Sequence, residues 1–219
     1  MQNLDIATIV IIAANVIISL KGFKDSHFFD KYKFNIAGIK TGEKLRMFSS
    51  GFLHADFNHL LFNMLTLYFF APVVVYYLST TLFVCIYIGA LAAGSLLSFH
   101  FHKEEPYYSA IGASGAVTGV LYAAILLNPS MSLYLFFVPI PIPAWLFGVG
   151  YLLYSIYGML KKKDNIGHDA HFGGAIAGYV LTLVFAPSIL SDSLWVVLLL
   201  AVPIVLLIAL KKLDKILKF

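Results

Sequence analysis

Charge is scarce in this chain: 12% of its 219 residues are Asp, Glu, Lys or Arg, against 60% apolar, and mean hydropathy is +0.87. Soluble domains carry about a quarter charged residues, so a water-soluble globular fold is excluded. Cysteine is nearly absent. Cys85 stands alone inside an apolar run, which rules out an internal disulfide and leaves it a packing role. No H-E-x-x-H pair occurs, so helix-borne zinc hydrolysis is excluded, and neither a metal nor another cofactor is expected. The net charge of +4 and pI near 9.0 come without a basic stripe or interleaved aromatics, so nucleic acid is not an expected partner. No Lys or Arg precedes the first apolar run, which starts at Ile6 after Asp5. That is wrong for a secretory signal, and a retained span is expected.

Seven apolar runs are present: Ile6–Leu20, Phe57–Leu78, Thr80–Phe101, Ser114–Leu127, Leu133–Leu160, His171–Ala186 and Leu194–Leu210. They are continuously apolar, whereas a membrane barrel alternates in segments of about ten residues. The expected fold is therefore an all-α polytopic membrane protein. Pro139, Pro141 and Pro143 interrupt the fifth run, so its helix is expected near Trp145 after an extended entry. Residues 21–56 mix Lys and Asp with Phe28, Phe29, Tyr32 and Phe34, a composition suited to a long loop lying in the membrane interface.

All fifteen Lys and Arg residues fall on one side of a seven-span arrangement. Seven lie between Lys21 and Arg46, and the others are Lys103, Lys161 to Lys163, Lys211, Lys212, Lys215 and Lys218. Removing one span would scatter them across both sides. The positive-inside rule alone would put this side in the cytoplasm.

Polar residues inside spans are functional candidates by default. His59 and Asn63 in the second span, Ser114 opening the fourth and His171 opening the sixth all lie near the starts of even-numbered helices. They therefore share one side and one depth. His59 and Asn63 are four apart, on one helix face. Ser114 sits in Gly112-Ala113-Ser114-Gly115, where glycine permits a sharp turn and a helix start favours developing negative charge; an ordinary Ser N-cap is the simpler alternative. Small-residue pairs, Gly115/Gly119 and Gly174/Gly178, let helix backbones approach closely in lipid and bring Ser114 and His171 to one level. The set supplies a hydroxyl nucleophile, an imidazole base, and oxyanion donors in His59, Asn63 and the Ser114 amide. Asp169, two residues from His171, would not face it on a helix, so a dyad is expected.

At these residues the chain resembles the rhomboid family of intramembrane serine proteases. The resemblance runs from Arg46 through His54 and His59-Leu60-Leu61-Phe62-Asn63, then Gly112-Ala113-Ser114-Gly115, to Ala170-His171-Phe172-Gly173-Gly174 with Gly178. It implies a six-helix core over residues 1–187 and an additional helix with a basic tail over 188–219. It also implies a Ser114/His171 dyad that cuts the transmembrane segments of other membrane proteins, with the site opening away from the cytoplasm of a bacterial inner membrane. By the same resemblance His59 and Asn63 serve the oxyanion, while His54 and Arg46 are structural residues of the first loop. Gly112, Gly115, Gly174, Gly178 and Thr118 are expected to support the site. Two positions depart from the pattern. Thr118 stands where many members carry an aromatic ring against the base, so another side chain must hold His171; Leu45 stands where a Trp often precedes the arginine.

A non-proteolytic escort of membrane clients is the main alternative, and such a relative is expected to have lost Ser114 or His171. A transporter would want paired charges along the central spans, which hold none apart from Asp56 at an entry. His168, and His100 and His102 near Glu104 and Glu105, are expected to be interfacial residues rather than metal ligands, and His27 in the first loop has no obvious partner.

Overall fold

The computed structural model describes residues 4–134, 140–161 and 166–217. Helix α1 (Ile6–Lys24) is followed by three short helices, α2 (Ser26–Tyr32), α3 (Ile36–Lys40) and α4 (Arg46–Ser49). The long helices α5 (Phe57–Tyr77), α6 (Thr80–His102), α7 (Ser114–Leu127), α8 (Ala144–Lys161) and α9 (His168–Phe185) come next, then the short α10 (Ile189–Asp192) and α11 (Leu194–Leu217). Starts are set locally. Asp5, Asp25, Asn35, Asp56 and Ser79 each accept a backbone N–H from the first turn of the helix that follows, which satisfies a donor the helix itself leaves open.

The seven long helices coincide with the seven apolar runs, and the fold is an all-α polytopic membrane bundle. Helices α1, α5 and α6 are each long and apolar enough to cross a bilayer, while Ser114–Leu127 and Leu194–Leu210 are shorter apolar segments. Large apolar side chains such as Ile9, Val10, Phe69, Leu198 and Val205 are exposed, as a lipid-facing surface requires. Helix α7 is the exception: every residue from Gly115 to Leu126 is buried. One apolar cluster joins it to α5 and α6 through Leu67, Phe83, Ile86 and Val120. The other joins it to α8, α9 and α11 through Tyr122, Leu152, Phe172 and Leu200.

Three details depart from the sequence reading. Helix α9 begins at His168, so His171 lies one turn inside it. The first loop is built from α2, α3 and α4, with Phe34–Asn35 (β1) pairing antiparallel to Ser109–Ala110 (β2). The extended entry to α8 is real, but it is paired: Pro141–Pro143 (β4) lies antiparallel to Ser132–Tyr134 (β3), and α8 starts at Ala144. Pro139 falls outside the described residues, as do Lys162 and Lys163.

Candidate active site

Helices α7 and α9 meet backbone to backbone. A Cβ added to Gly174 would lie 1.9 Å from the Gly115 carbonyl oxygen, and one on Gly178 would lie 2.1 Å from that of Gly119. Only glycine tolerates this approach, and it brings the first turns of the two helices together. His171 Nε2 is 2.7 Å from Ser114 Oγ, a full hydrogen bond between imidazole and hydroxyl. Ser114 is therefore not an N-cap; Ala113 occupies that position and no side chain caps α7.

The turn into α7 is shaped by Gly112, whose φ of +118° is left-handed backbone that disfavours other residues. A Cβ there would also meet the His59 ring, 2.8 Å from Nε2. His59 thus lies directly over the turn from Gly112 to Ser114. Its own placement follows from the Asp56 cap, which accepts the His59 N–H at 2.9 Å and starts α5 at the right level. Asn63, one turn on, is buried and gives one amide proton to the His59 carbonyl at 3.1 Å. His59, Asn63, Ser114 and His171 all line one cavity of about 1800 Å³.

His54 holds the turn from behind. Fully buried, it accepts the Ala113 N–H on Nε2 at 3.4 Å. Its Nδ1 is 2.8 Å from Ser19 Oγ, whose own proton goes to the Phe52 carbonyl. The imidazole therefore carries its proton on Nδ1 and is neutral. Burial, reinforced by the neighbouring His59 and opposed by Asp56, pushes its pKa down to about 3. The folded value lies below the unfolded value of about 6.5, so stability from this group is full above pH 6.5 and is lost as pH falls. Between pH 6.5 and 5 the loss is about 2 kcal/mol. Unfolding in micelles at the two pH values should show that extra loss in the wild type relative to His54→Gln; equal losses would refute it.

Arg46 lies away from the cavity and ties the first loop together. It pairs with Glu43 and donates to the carbonyls of Asp30 at 2.7 Å and Lys33 at 3.1 Å. Leu45 beside it is exposed. Thr118 is buried and donates to the Ser114 carbonyl at 2.7 Å.

Two features were not legible in the sequence. The Tyr151 hydroxyl, from α8, stands 2.9 Å from His171 Nδ1, and the two rings stack with centroids 5.7 Å apart. The departure at Thr118 was the one signal that such a residue was needed. The second is a cluster at the start of α9. His102 is not a simple interfacial residue: Nδ1 is 2.8 Å from Glu105 and Nε2 is 3.6 Å from Asp169. Its ring stacks on Tyr108, 3.5 Å away. Burial, then the Asp169 charge, pushes the Tyr108 phenol up, so it stays a donor to Asp169 at 3.4 Å. Asp169 indeed turns away from His171 to these partners. Among the described residues no group of three or more His, Cys, Asp or Glu side chains is placed to hold a metal ion.

The sequence model of the Rhomboid domain matches residues 41–188. The chain belongs to the rhomboid family. The matched segment holds every cavity residue named above and excludes α1, so Ser19, the partner of His54, lies outside it. RHOMBOID-like protein 12, mitochondrial, of Arabidopsis thaliana is 27% identical over 182 residues, covering 76% of this chain and 54% of that protein. Rhomboid protein 1, mitochondrial, of Saccharomyces cerevisiae is 31% identical over 138 residues, covering 62% and 40%. Rhomboid protease GluP of Bacillus subtilis is 33% identical over 144 residues, covering 64% and 26%. The chain spans about half the length, or less, of these rhomboid relatives.

Proposed function

We propose that this rhomboid protein is an intramembrane serine endopeptidase that cleaves the transmembrane segments of other membrane proteins. The observation that carries the reading is the 2.7 Å bond from His171 Nε2 to Ser114 Oγ inside a large cavity. In the reaction, Nε2 takes the Ser114 proton as Oγ attacks the scissile carbonyl, and returns it to the leaving amine. Water then hydrolyses the acyl-enzyme with the same base. The Ser114 amide, the second Asn63 amide proton and His59 Nε2 are the donors assigned to the oxyanion, each worth about 3–4 kcal/mol in such sites. A relative that only escorts clients has no use for a paired nucleophile and base.

A helical substrate needs a way in from lipid. Helix α8 packs on α9 and α11 and scarcely touches α5, and the cavity runs between α5 and α8 past Phe62, Phe69 and Phe147. Substrate is assigned to that groove. Cleavage of a single-span substrate by the reconstituted protein, with the Ser114→Ala protein alongside, tests the reading.

The orientation proposed is that of the resemblance, with the site opening away from the cytoplasm of a bacterial inner membrane, against the bias of the fifteen cations. With seven spans the chain then ends outside the cytoplasm. A reporter fused after Phe219 should give a non-cytoplasmic signal, and a cytoplasmic one overturns this orientation.

A further inference from the structure

His171 and the side chain beside it come from different helices, and a third helix holds those two. Tyr151 stands on α8, its hydroxyl 2.9 Å from His171 Nδ1 and its ring stacked on the imidazole with centroids 5.7 Å apart. Helix α8 presents Phe147 and Tyr151 to the cavity and buries Gly148 and Leu152. On the groove side it scarcely touches α5, so its position is set by what lies behind it. A Cβ added to Gly148 would meet Ile125 of α7 at 3.0 Å and Leu200 of α11 at 3.1 Å, and Tyr122 of α7 donates its hydroxyl to the Gly148 carbonyl. One turn earlier, Trp145 meets Trp195 of α11 edge to face with centroids 5.9 Å apart.

Helix α11 grips α9 as well. The Tyr179 hydroxyl, two turns past His171, donates at 3.0 Å to the carbonyl of Val197, one turn before Leu200. Val196, Val197, Leu200 and Leu207 are buried while Leu198, Val202 and Val205 are exposed, so α11 packs with one face. Neighbouring residues of that face thus set the spacing between the helix that carries Tyr151 and the helix that carries His171. Helix α11 lies beyond residue 188, where the Rhomboid match ends.

We propose that Leu200 of the seventh span is a positioning residue for the reaction: it fills the space behind Gly148 and so keeps α8 where Tyr151 meets His171. The inference rests on His171 being the base. A void at Leu200 is closed only in part by its neighbours, and α8, open on its groove side, is the helix that shifts. A substrate helix entering the groove pushes α8 from that open side, and α11 is what resists.

Histidine-labelled full-length protein in micelles gives a readout that needs no substrate, with the His171 resonances assigned by their loss in His171→Gln. Tyr151→Leu removes ring and hydroxyl together and marks the shifts of an imidazole without its partner. Leu200→Ala should move the His171 shifts in that same direction, and Leu200→Met, which keeps the volume, should return them. Ile86→Ala, an equal deletion in the other apolar cluster, should leave them in place although it too lowers the melting temperature. Should Leu200→Ala not fold, Leu200→Val makes a smaller void and is read in the same way. In the cleavage assay Leu200→Ala should lower kcat roughly 10-fold with KM unchanged, as a displaced base does. Placed in the Tyr151→Leu background it should lower kcat by less than about twofold further, because both act through one contact. His171 shifts unmoved by Leu200→Ala, or losses in kcat that multiply in the double variant, overturn the proposal. Failure of the wild type to cleave any substrate overturns the proteolytic reading instead, and the shifts still decide this one.

Discussion

Replacing Ser114 by Ala should reduce cleavage of a reconstituted single-span substrate to background, a loss of roughly 10⁴-fold or more in kcat. The substitution deletes one oxygen, the atom that stands 2.7 Å from His171 Nε2. Little else changes. The turn is held by Gly112 and by the His54 contact to the Ala113 amide, neither of which involves the hydroxyl, so the cost in stability is that of one hydrogen bond, about 1 kcal/mol. His171→Ala should be comparably inactive, and the double variant should be no worse than either single one, because nucleophile and base act as a unit. Undiminished cleavage by the purified Ser114→Ala protein would sink the mechanism, and strict additivity would sink the dyad.

The second large effect is expected at Gly174. A valine there places carbon where the Gly115 carbonyl already stands, 1.9 Å from its oxygen. Overpacking a core commonly costs about 1–3 kcal/mol when side chains can shift. Here the obstacle is backbone, so α7 and α9 must separate, and roughly 3 kcal/mol or more is expected. Activity should fall further than stability explains, because the same two helices carry Ser114 and His171, and a displacement of about 1 Å can cost on the order of 10²-fold. Gly150, whose added Cβ would meet nothing within 4 Å, is the control, and Gly150→Ala should melt with the wild type. Melting in micelles, together with cleavage at a temperature where both variants are folded, separates the two effects. A Gly174→Val protein with native melting and native rate would show that the close crossing is not what assembles the site.

Much of this site was legible because its residues lie in short local patterns. Gly112-Ala113-Ser114-Gly115 is a turn and a helix start at once, and Gly115/Gly119 with Gly174/Gly178 fix which helices cross and at what level. His59 and Asn63 announce a shared face by spacing alone. Tyr151 carries no such mark: with Tyr154 and Tyr157 it reads as one of several interfacial rings on an apolar helix, and its role exists only through contact with His171, twenty residues on. His102 is similar in part: Tyr108 follows it closely in the chain, but the α9 turn that brings Asp169 to it is distant in sequence. His54 was assigned to the first loop, but its link to Ser19 joins the Gly112–Ser114 turn to the first span, a connection no local pattern encodes. The start of α9 at His168 was missed because His168 and Asp169 are polar and broke the apolar run, whereas both are buried in the fold.

The enclosure of α7 bears on how deep Ser114 lies. Its 14 residues rise about 21 Å, roughly 9 Å short of a typical hydrocarbon layer. Because its flanks meet protein rather than lipid, the helix has no need to match the bilayer. Ser114 stands at the start of this short, protein-enclosed helix. Were Ser114 the nucleophile, as proposed, the depth of cleavage would follow from the length of one buried helix rather than from the thickness of the bilayer around it.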